Sequence, residues 1–351
     1  MEVNNCNYKY IVRVGCKTYN HSKYIINALK GFCEQKSNFP YVCTIVDDNS
    51  TDGNQKIIKQ YLDENFNLNE IGITRLEEHD QYFLIYARHK TNLNCYFAVL
   101  FLKENHYKQR IRTSYLGEWT NNSKYIAICE GDDYWTDPLK LQKQVDFMES
   151  HPDFSMCFHN ASYYNQQLGK VTGHFDRYME DTTVPPETLI IEGGGFCPTC
   201  SLFYRRELMI DYPDFCRKYN VGDYPLQLYL ASIGKVFYFK DIMGVYRIQV
   251  PGSWSRMVGS DTNKARQYKR LLQSLNFIDK FDEYTAYKYH NVVEIKKNNT
   301  ICNILLPNGI YRKKIIVKPR NKKEKFYYWL IKNRLFPVKN WLSLQLHKFV
   351  N

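Results

Sequence analysis

No stretch of the 351-residue chain approaches the roughly 20 consecutive apolar residues needed to span a bilayer, so no membrane-crossing helix is expected. The first residues, MEVNNCNYKY, hold no apolar run of signal-peptide length. Eleven cysteines in a chain this long fall short of the dense framework of a small secreted domain, so reduced thiols in a cytoplasm are expected. Neither an internal repeat nor a low-complexity segment occurs, which excludes a solenoid or a disordered scaffold. What is present is core material, with hydrophobic residues at 44% and aromatics at 16%. The formal charge of +12 is concentrated at one end. From Tyr311 onward lie 12 of the 48 basic residues and one acid, Glu324, which leaves 36 basic against 35 acidic groups in the rest of the chain. The basicity is therefore a property of a tail, not of the body.

The body reads as alternating strands and helices. Lys9 to Cys16 is a β-branched run that predicts a buried strand. Thr18, Tyr19 and Asn20 follow it, then a helix with Ser22 as N-cap and Ile25, Leu29 and Phe32 on one face. Tyr41 to Val46 predicts a second strand ending in Asp47-Asp48-Asn49-Ser50, with a helix from about Gly53 to Asn65. That spacing indicates a parallel sheet with crossovers. Further strands are expected at 81–87 and 124–129, the latter running into Glu130-Gly131-Asp132-Asp133. Between them, residues 103–122 read as a helix and a loop. Asp137 is expected to cap a helix over 139–150 with Pro138 at its first position. Strands at 154–158, 201–204, 236–239 and 243–248, and a helix of about ten residues after Asp223, complete the body. The expected division is a domain over 1–256 and a helical extension over 257–351.

Ligands of an open α/β sheet bind beyond the carboxyl ends of its strands, and three polar clusters fall there: Thr18-Tyr19-Asn20, Asp47-Asp48 and Glu130 to Asp133. The first two have ordinary readings as a cap and a turn. Three carboxylates within four residues repel one another unless a cation lies between them, and all-oxygen ligation suits Mg²⁺ or Mn²⁺, although a solvated acidic turn is the simpler alternative.

The blocks Val14 to Asn20, Ile45 to Gly53 and Tyr125 to Leu141 resemble the nucleotide-binding half of the family 2 glycosyltransferases, whose fold is called GT-A; the resemblance covers roughly residues 9–256. It implies an α/β fold with a mostly parallel central sheet and an inverting, metal-assisted transfer from a nucleoside-diphosphate sugar. By the same resemblance Tyr19 stacks on the base, Thr18 and Asn20 supply neighbouring contacts, and Asp48 touches the base. Glu130-Gly131-Asp132 matches the Asp-x-Asp metal motif with Glu in place of the first Asp, so Asp132 is the main ligand, with Glu130 and Asp133 beside it. Asp223, in Gly222-Asp223-Tyr224, matches the catalytic carboxylate, for which an N-cap is the competing reading. Tyr246-Arg247-Ile248-Gln249 resembles a Tyr-Arg-x-His element facing the diphosphate, with Gln249 replacing the His, so Arg247 alone carries charge.

The expected partners are a nucleotide-sugar donor, read as a UDP-sugar, a glycan or lipid-linked acceptor of surface-polysaccharide type, and an anionic membrane surface. Residues 322–349 set Phe326, Trp329, Leu330, Phe336, Trp341 and Phe349 among lysines and arginines, as in a basic amphipathic segment lying on a membrane, with a helix packed on the body as the alternative. Two other readings compete: a non-catalytic nucleotide- or glycan-binding member, and a nucleic-acid binder acting through the tail. The tail has no helix-turn-helix, zinc-finger or RNA-binding signature. Cys197-Pro198-Thr199-Cys200 has no second pair at zinc-like spacing, and Gly193-Gly194-Gly195 lacks the ending of a phosphate loop. Tyr134 and Trp135 read equally as pocket or core, and the histidines as structural or exposed.

Overall fold

The structure, a computed structural model, describes residues 8–111, 114–219, 221–259 and 261–305. It divides into two compact units at Asp261/Thr262. In the first, the chain enters the sheet as β1 (Tyr10–Thr18), crosses through α1 (Ile25–Cys33) to β2 (Tyr41–Asp47), then through α2 (Asn54–Asn65) to β3 (Phe66–Asn67), β4 (Arg75–Glu78), β5 (Tyr82–His89) and β6 (Cys95–Leu102). Two short helices, α3 (His106–Gln109) and α4 (Gly117–Asn121), lead to β7 (Ser123–Ile128), β8 (Tyr134–Trp135) and α5 (Lys140–Ser150). The second half holds β9 (Phe154–Asn165), β10 (Lys170–His174), β11 (Thr182–Val184), α6 (Pro186–Glu192), β12 (Phe203–Arg205), α7 (Asp214–Arg217), α8 (Asp223–Ile233) and β13 (Lys235–Ile248). A short helix, α9, spans Trp254–Gly259.

These strands form one mixed sheet in the order β11-β13-β9-β12-β7-β1-β2-β6-β5-β3, with β10 on β9, β4 on β5 and β8 on β13. The neighbours β7, β1, β2 and β6 are mutually parallel, as the strand–helix alternation predicts, so their carboxyl ends open on one edge. β12 is antiparallel to both β7 and β9, whereas β13 runs parallel to β9. The two strands expected at 236–239 and 243–248 are one continuous β13 with register shifts near Phe239 and Ile242. β6, the run Cys-Tyr-Phe-Ala-Val-Leu-Phe-Leu, was not anticipated; it is almost entirely buried between β2 and β5. Ser22 is not the cap of α1. That helix begins at Ile25 after a turn in which the His21 carbonyl accepts the Tyr24 and Ile25 N–H groups, and the Ser22 N–H goes instead to Asp52 Oδ2 at 2.9 Å. Likewise α5 starts at Lys140, with Asp137 Oδ1 accepting the Leu139 N–H at 2.8 Å just ahead of it.

The second unit is a pair of helices, α10 (Lys264–Tyr284) and α11 (His290–Leu305), joined by a short turn. Asp282, nearly buried, accepts from His290 Nδ1 at 2.7 Å across that turn. No helix among the described residues is long and apolar enough to cross a membrane. The amphipathic segment expected at 322–349 lies outside the described residues.

The core beneath the parallel strands contains an unusual charge. Lys140 is fully buried, its ammonium has no hydrogen-bond partner among the described residues, and it stands 3.7 Å from the centroid of the Trp135 ring. Burial lowers its pKa to about 7, with the surrounding thiols of Cys129, Cys157, Cys200 and Cys43 opposing the shift. An unfolded lysine titrates near 10.4, so the cost of charging Lys140 in the fold is fully present below about pH 7 and fades as pH rises toward 10. Lys140→Met, which keeps the stem and removes the charge, is expected to raise the thermal midpoint at pH 6 and to raise it less at pH 9. A fall at both pH values would show that the contact with Trp135 outweighs desolvation.

Candidate functional site

The site grows from the carboxyl ends of β1, β2 and β7. Asp47, the last residue of β2, is fully buried and organises the turn after it: Oδ1 accepts from the Ser50 N–H and Gln55 Nε2 at 2.9 and 2.8 Å, and Oδ2 from Asn54 Nδ2 at 2.7 Å. The other Asn54 amide hydrogen goes to Thr18 Oγ1 at 3.1 Å, which ties the end of β1 to the end of β2. Asn20 takes a left-handed conformation (φ 56°), donates its N–H to Ser50 Oγ and accepts the Thr51 N–H. Tyr19 is half-buried, and the Lys108 ammonium stands 5.4 Å from its ring centroid. Asp48 is committed locally: its two carboxylate oxygens accept the His106 and Tyr107 N–H groups at 2.7 and 3.1 Å, at the start of α3.

The acidic turn after β7 is clipped onto the same place. The Cys129 N–H goes to the Gly15 carbonyl and the Gly131 N–H to the Lys17 carbonyl. A Cβ on Gly131 would lie 2.7 Å from Thr18 Cβ and Oγ1 and 3.1 Å from His21 Nδ1, so only glycine allows the turn to pack this closely. The three carboxylates then separate into distinct environments. Asp133 is buried; its Oδ1 accepts the Arg247 backbone N–H at 2.7 Å, and burial first, then Asp132 and Glu130, push its pKa well above the usual carboxylate range. Glu130 is exposed to solvent. Crowding by the surrounding protein, the Asp132 and Asp223 charges raising and Lys17 lowering, brings it to about 7. Asp132 has a side chain only 14% exposed and faces His21 Nε2 at 3.9 Å, too far for a hydrogen bond.

Among the described residues neither the Glu130 nor the Asp132 carboxylate accepts a hydrogen bond, and no group of three His, Cys, Asp or Glu side chains is arranged to hold an ion by itself. Two mutually repelling carboxylates without hydrogen-bond donors are a donor set that fits a hard divalent cation whose remaining ligands come from elsewhere. Arg247 lies under the turn. Its Nη1 donates to the Asp132 carbonyl at 2.6 Å, and the rings of Tyr134, Tyr24 and Tyr164 surround the guanidinium at 4.7 to 5.7 Å. Gln249, two residues on, adopts a left-handed backbone (φ 63°).

Asp223 is the first residue of α8, after Gly222, and its side chain makes no capping bond to the first turn beyond its neighbour: Oδ1 accepts the Tyr224 N–H at 2.7 Å. Burial raises its pKa, against that bond, and its charge is near enough to raise Glu130. The structure thus brings Asp223 to the acidic turn, although 90 residues separate them. Three residues near the site escaped the sequence reading: His21 beside Asp132, Lys108 over Tyr19, and Lys17 near Glu130. For His21 the signal was its place directly after Asn20; for Lys108 there was none, because its contact spans 89 positions. Trp135 is core, buried against Phe32 with its Nε1 donating to the Cys200 carbonyl, whereas Tyr134 borders Arg247. Cys197 and Cys200 are buried free thiols.

The Asp133–Arg247 bond predicts opposite behaviour for two substitutions of Asp133. Asp133→Ala leaves the buried Arg247 N–H unpaired and is expected to cost about 1 to 3 kcal/mol of stability. Asp133→Asn keeps an acceptor there and is expected to preserve the thermal midpoint. Equal losses for both would mean that the charge, not the acceptor, holds the turn.

Comparison with known proteins bears on the fold that carries this site. Residues 14–90 match the family model described as glycosyl transferase family 2. Over 237 residues the chain is 30% identical to uncharacterized proteins of Mycobacterium bovis and Mycobacterium tuberculosis, covering 68% of this chain and 58% of theirs. The chain therefore spans less than two thirds of the length of these relatives. Among solved structures, S. aureus TarS 1–349 in complex with UDP-GlcNAc is similar with a TM-score of 0.53 at 16% identity, covering 90% of this chain and 78% of that one. A second structure of TarS 1–349 gives 0.50 at 15% identity, covering 90% and 77%. With a large central sheet flanked by helices and a family 2 match across β1, β2 and β5, the chain has the GT-A fold of the glycosyl transferases.

Proposed function

We propose that the protein is an inverting glycosyltransferase that moves a sugar from a nucleoside-diphosphate sugar, a UDP-sugar in our reading, to a glycan or lipid-linked acceptor of surface-polysaccharide synthesis. The observation that carries the reading is that Asp223, at the start of α8, is near enough for its charge to raise the pKa of Glu130. A base and a donor-phosphate site must face one another for attack at an anomeric carbon, and these are the carboxylates so disposed. The UDP-GlcNAc bound by the similar TarS fragment supports the choice of UDP.

In this mechanism Thr18, Tyr19 and Asn20 hold the nucleoside at the ends of β1 and β2, with Asp48 bordering the base through the α3 segment that it anchors. Mn²⁺ or Mg²⁺ held by Asp132, with Glu130 beside it, would neutralise charge on the departing diphosphate. Arg247 adds a fixed positive charge below the same turn. Asp223 accepts the proton of the attacking hydroxyl, and burial, which raises its pKa, makes it a stronger base than an exposed aspartate. A single displacement inverts the anomeric centre, and the rest of the rate comes from alignment of two bound substrates.

Asp223→Asn keeps shape and the acceptor for the Tyr224 N–H but cannot take a proton. It is expected to lower turnover by roughly 10² or more while UDP affinity stays near wild type. Asp132→Ala is expected to lose donor binding and stay folded. Steady-state UDP release beside a UDP titration separates the two, and near-normal turnover of Asp223→Asn would remove it from the base role.

The proposal extends to location: a peripheral enzyme on the cytoplasmic face of an anionic membrane, held by the basic aromatic tail at about 1 kcal/mol per nearby cation plus apolar burial. A chain cut after Tyr311 is expected to stay soluble and to stop floating with anionic vesicles. Equal flotation of the cut and full chains would contradict this.

A further inference from the structure

The loop between α6 and β12 has a construction that the donor site does not explain. Its carbonyls at Gly194, Gly195 and Phe196 are held in succession by side chains: Gln227 Nε2 donates to Gly194 at 3.2 Å, and Arg177 donates through Nη2 to Gly195 at 2.6 Å and through Nε to Phe196 at 2.8 Å. The Arg177 guanidinium is itself fixed between the Phe175 and Phe196 rings at 5.0 and 4.9 Å. Gln227 is fully buried. In a trans peptide the N–H points away from the carbonyl of the same unit, so drawing the Gly194 carbonyl inward turns the Gly195 N–H outward. The Gly194 and Gly195 N–H groups have no partner among the described residues.

The loop also lies against the proposed base. A Cβ on Gly194 would stand 2.9 Å from Tyr224 Cβ and 3.5 Å from Asp223 Oδ1, so glycine lets the backbone approach the carboxylate. At Gly195 a Cβ would meet nothing within 4 Å, and that residue is exposed. Three consecutive glycines left to themselves would sample many backbone states, and the Arg177–Gln227 clamp removes that freedom.

We infer that the Gly193–Phe196 loop is a binding wall for the hydroxylated acceptor beside Asp223, its Gly194 and Gly195 N–H groups donating to acceptor oxygens, with Arg177 and Gln227 as positioning residues that aim them. This rests on the glycosyltransferase reading given above. An acceptor hydroxyl pressed toward Asp223 by these donors is oriented for attack, whereas water needs no such wall.

The test compares sugar transfer with donor hydrolysis by water, using UDP-GlcNAc and other UDP-sugars with a panel of para-nitrophenyl monosaccharides. Arg177→Ala and Gly195→Leu are expected to lower the transfer-to-hydrolysis ratio at least tenfold, through acceptor KM, with UDP affinity within twofold of wild type. Arg177→Lys should not restore the ratio, because an ammonium lacks the flat face that the Phe175 and Phe196 rings hold in place. Gly195→Leu adds bulk only to open space and guards against a folding artefact. A ratio unchanged in both variants overturns the inference and leaves the enzyme reading standing. A wild-type chain that neither transfers nor hydrolyses any of these donors overturns both.

Discussion

The buried Arg247 is the tie on which the site depends. Its backbone N–H is accepted by Asp133 and its guanidinium reaches the Asp132 carbonyl, so β13, from the second half of the sheet, grips the acidic turn that ends β7 in the first. Without that grip there would remain the Gly131 and Cys129 N–H bonds to β1 and the pairing of β8 with β13 just beyond the turn. Three carboxylates in four residues would then be free to splay apart. The aromatic rings of Tyr24, Tyr134 and Tyr164 exclude water from the guanidinium and strengthen the tie.

Around this tie the two ends of the site acquire different characters. On the side proposed for the nucleotide, rigidity comes from side-chain hydrogen bonds: Asp47 and Asn20 accept backbone N–H groups, and Asn54 donates to Asp47 and Thr18. On the side proposed for the acceptor the backbone itself is presented, with glycine where a side chain would collide with Tyr224. Asp223 lies between them, desolvated enough to be raised and connected to Glu130 by repulsion alone.

Much of this was legible in the sequence because strand ends in a parallel sheet announce themselves: an apolar run followed by Thr18-Tyr19-Asn20, Asp47-Asp48 or Glu130-Gly131-Asp132-Asp133 is read directly. The apolar run of β6 has no alternation to separate strand from helix, and it passed unassigned. Ser22 looked like a cap because local chemistry favours it, but Asp52 on the next loop took its N–H. That Asp133 points inward while Asp132 faces the cleft follows from the path of a turn packed on Thr18, which no spacing rule encodes. The family match ends at residue 90, so Asp132, Asp223 and Arg247 gain their meaning from position in the fold.

The central claim is that the carboxyl ends of β1, β2 and β7 form one donor site completed by a cation. Thermal unfolding across a set of nucleotide sugars, each with Mn²⁺, with Mg²⁺ and with EDTA, tests it most directly, because a ligand specific to the native state raises the midpoint by mass action. The account predicts that at least one nucleotide sugar stabilises the chain and that EDTA abolishes the effect. Stabilisation that persists in EDTA, or none with any donor, would contradict it.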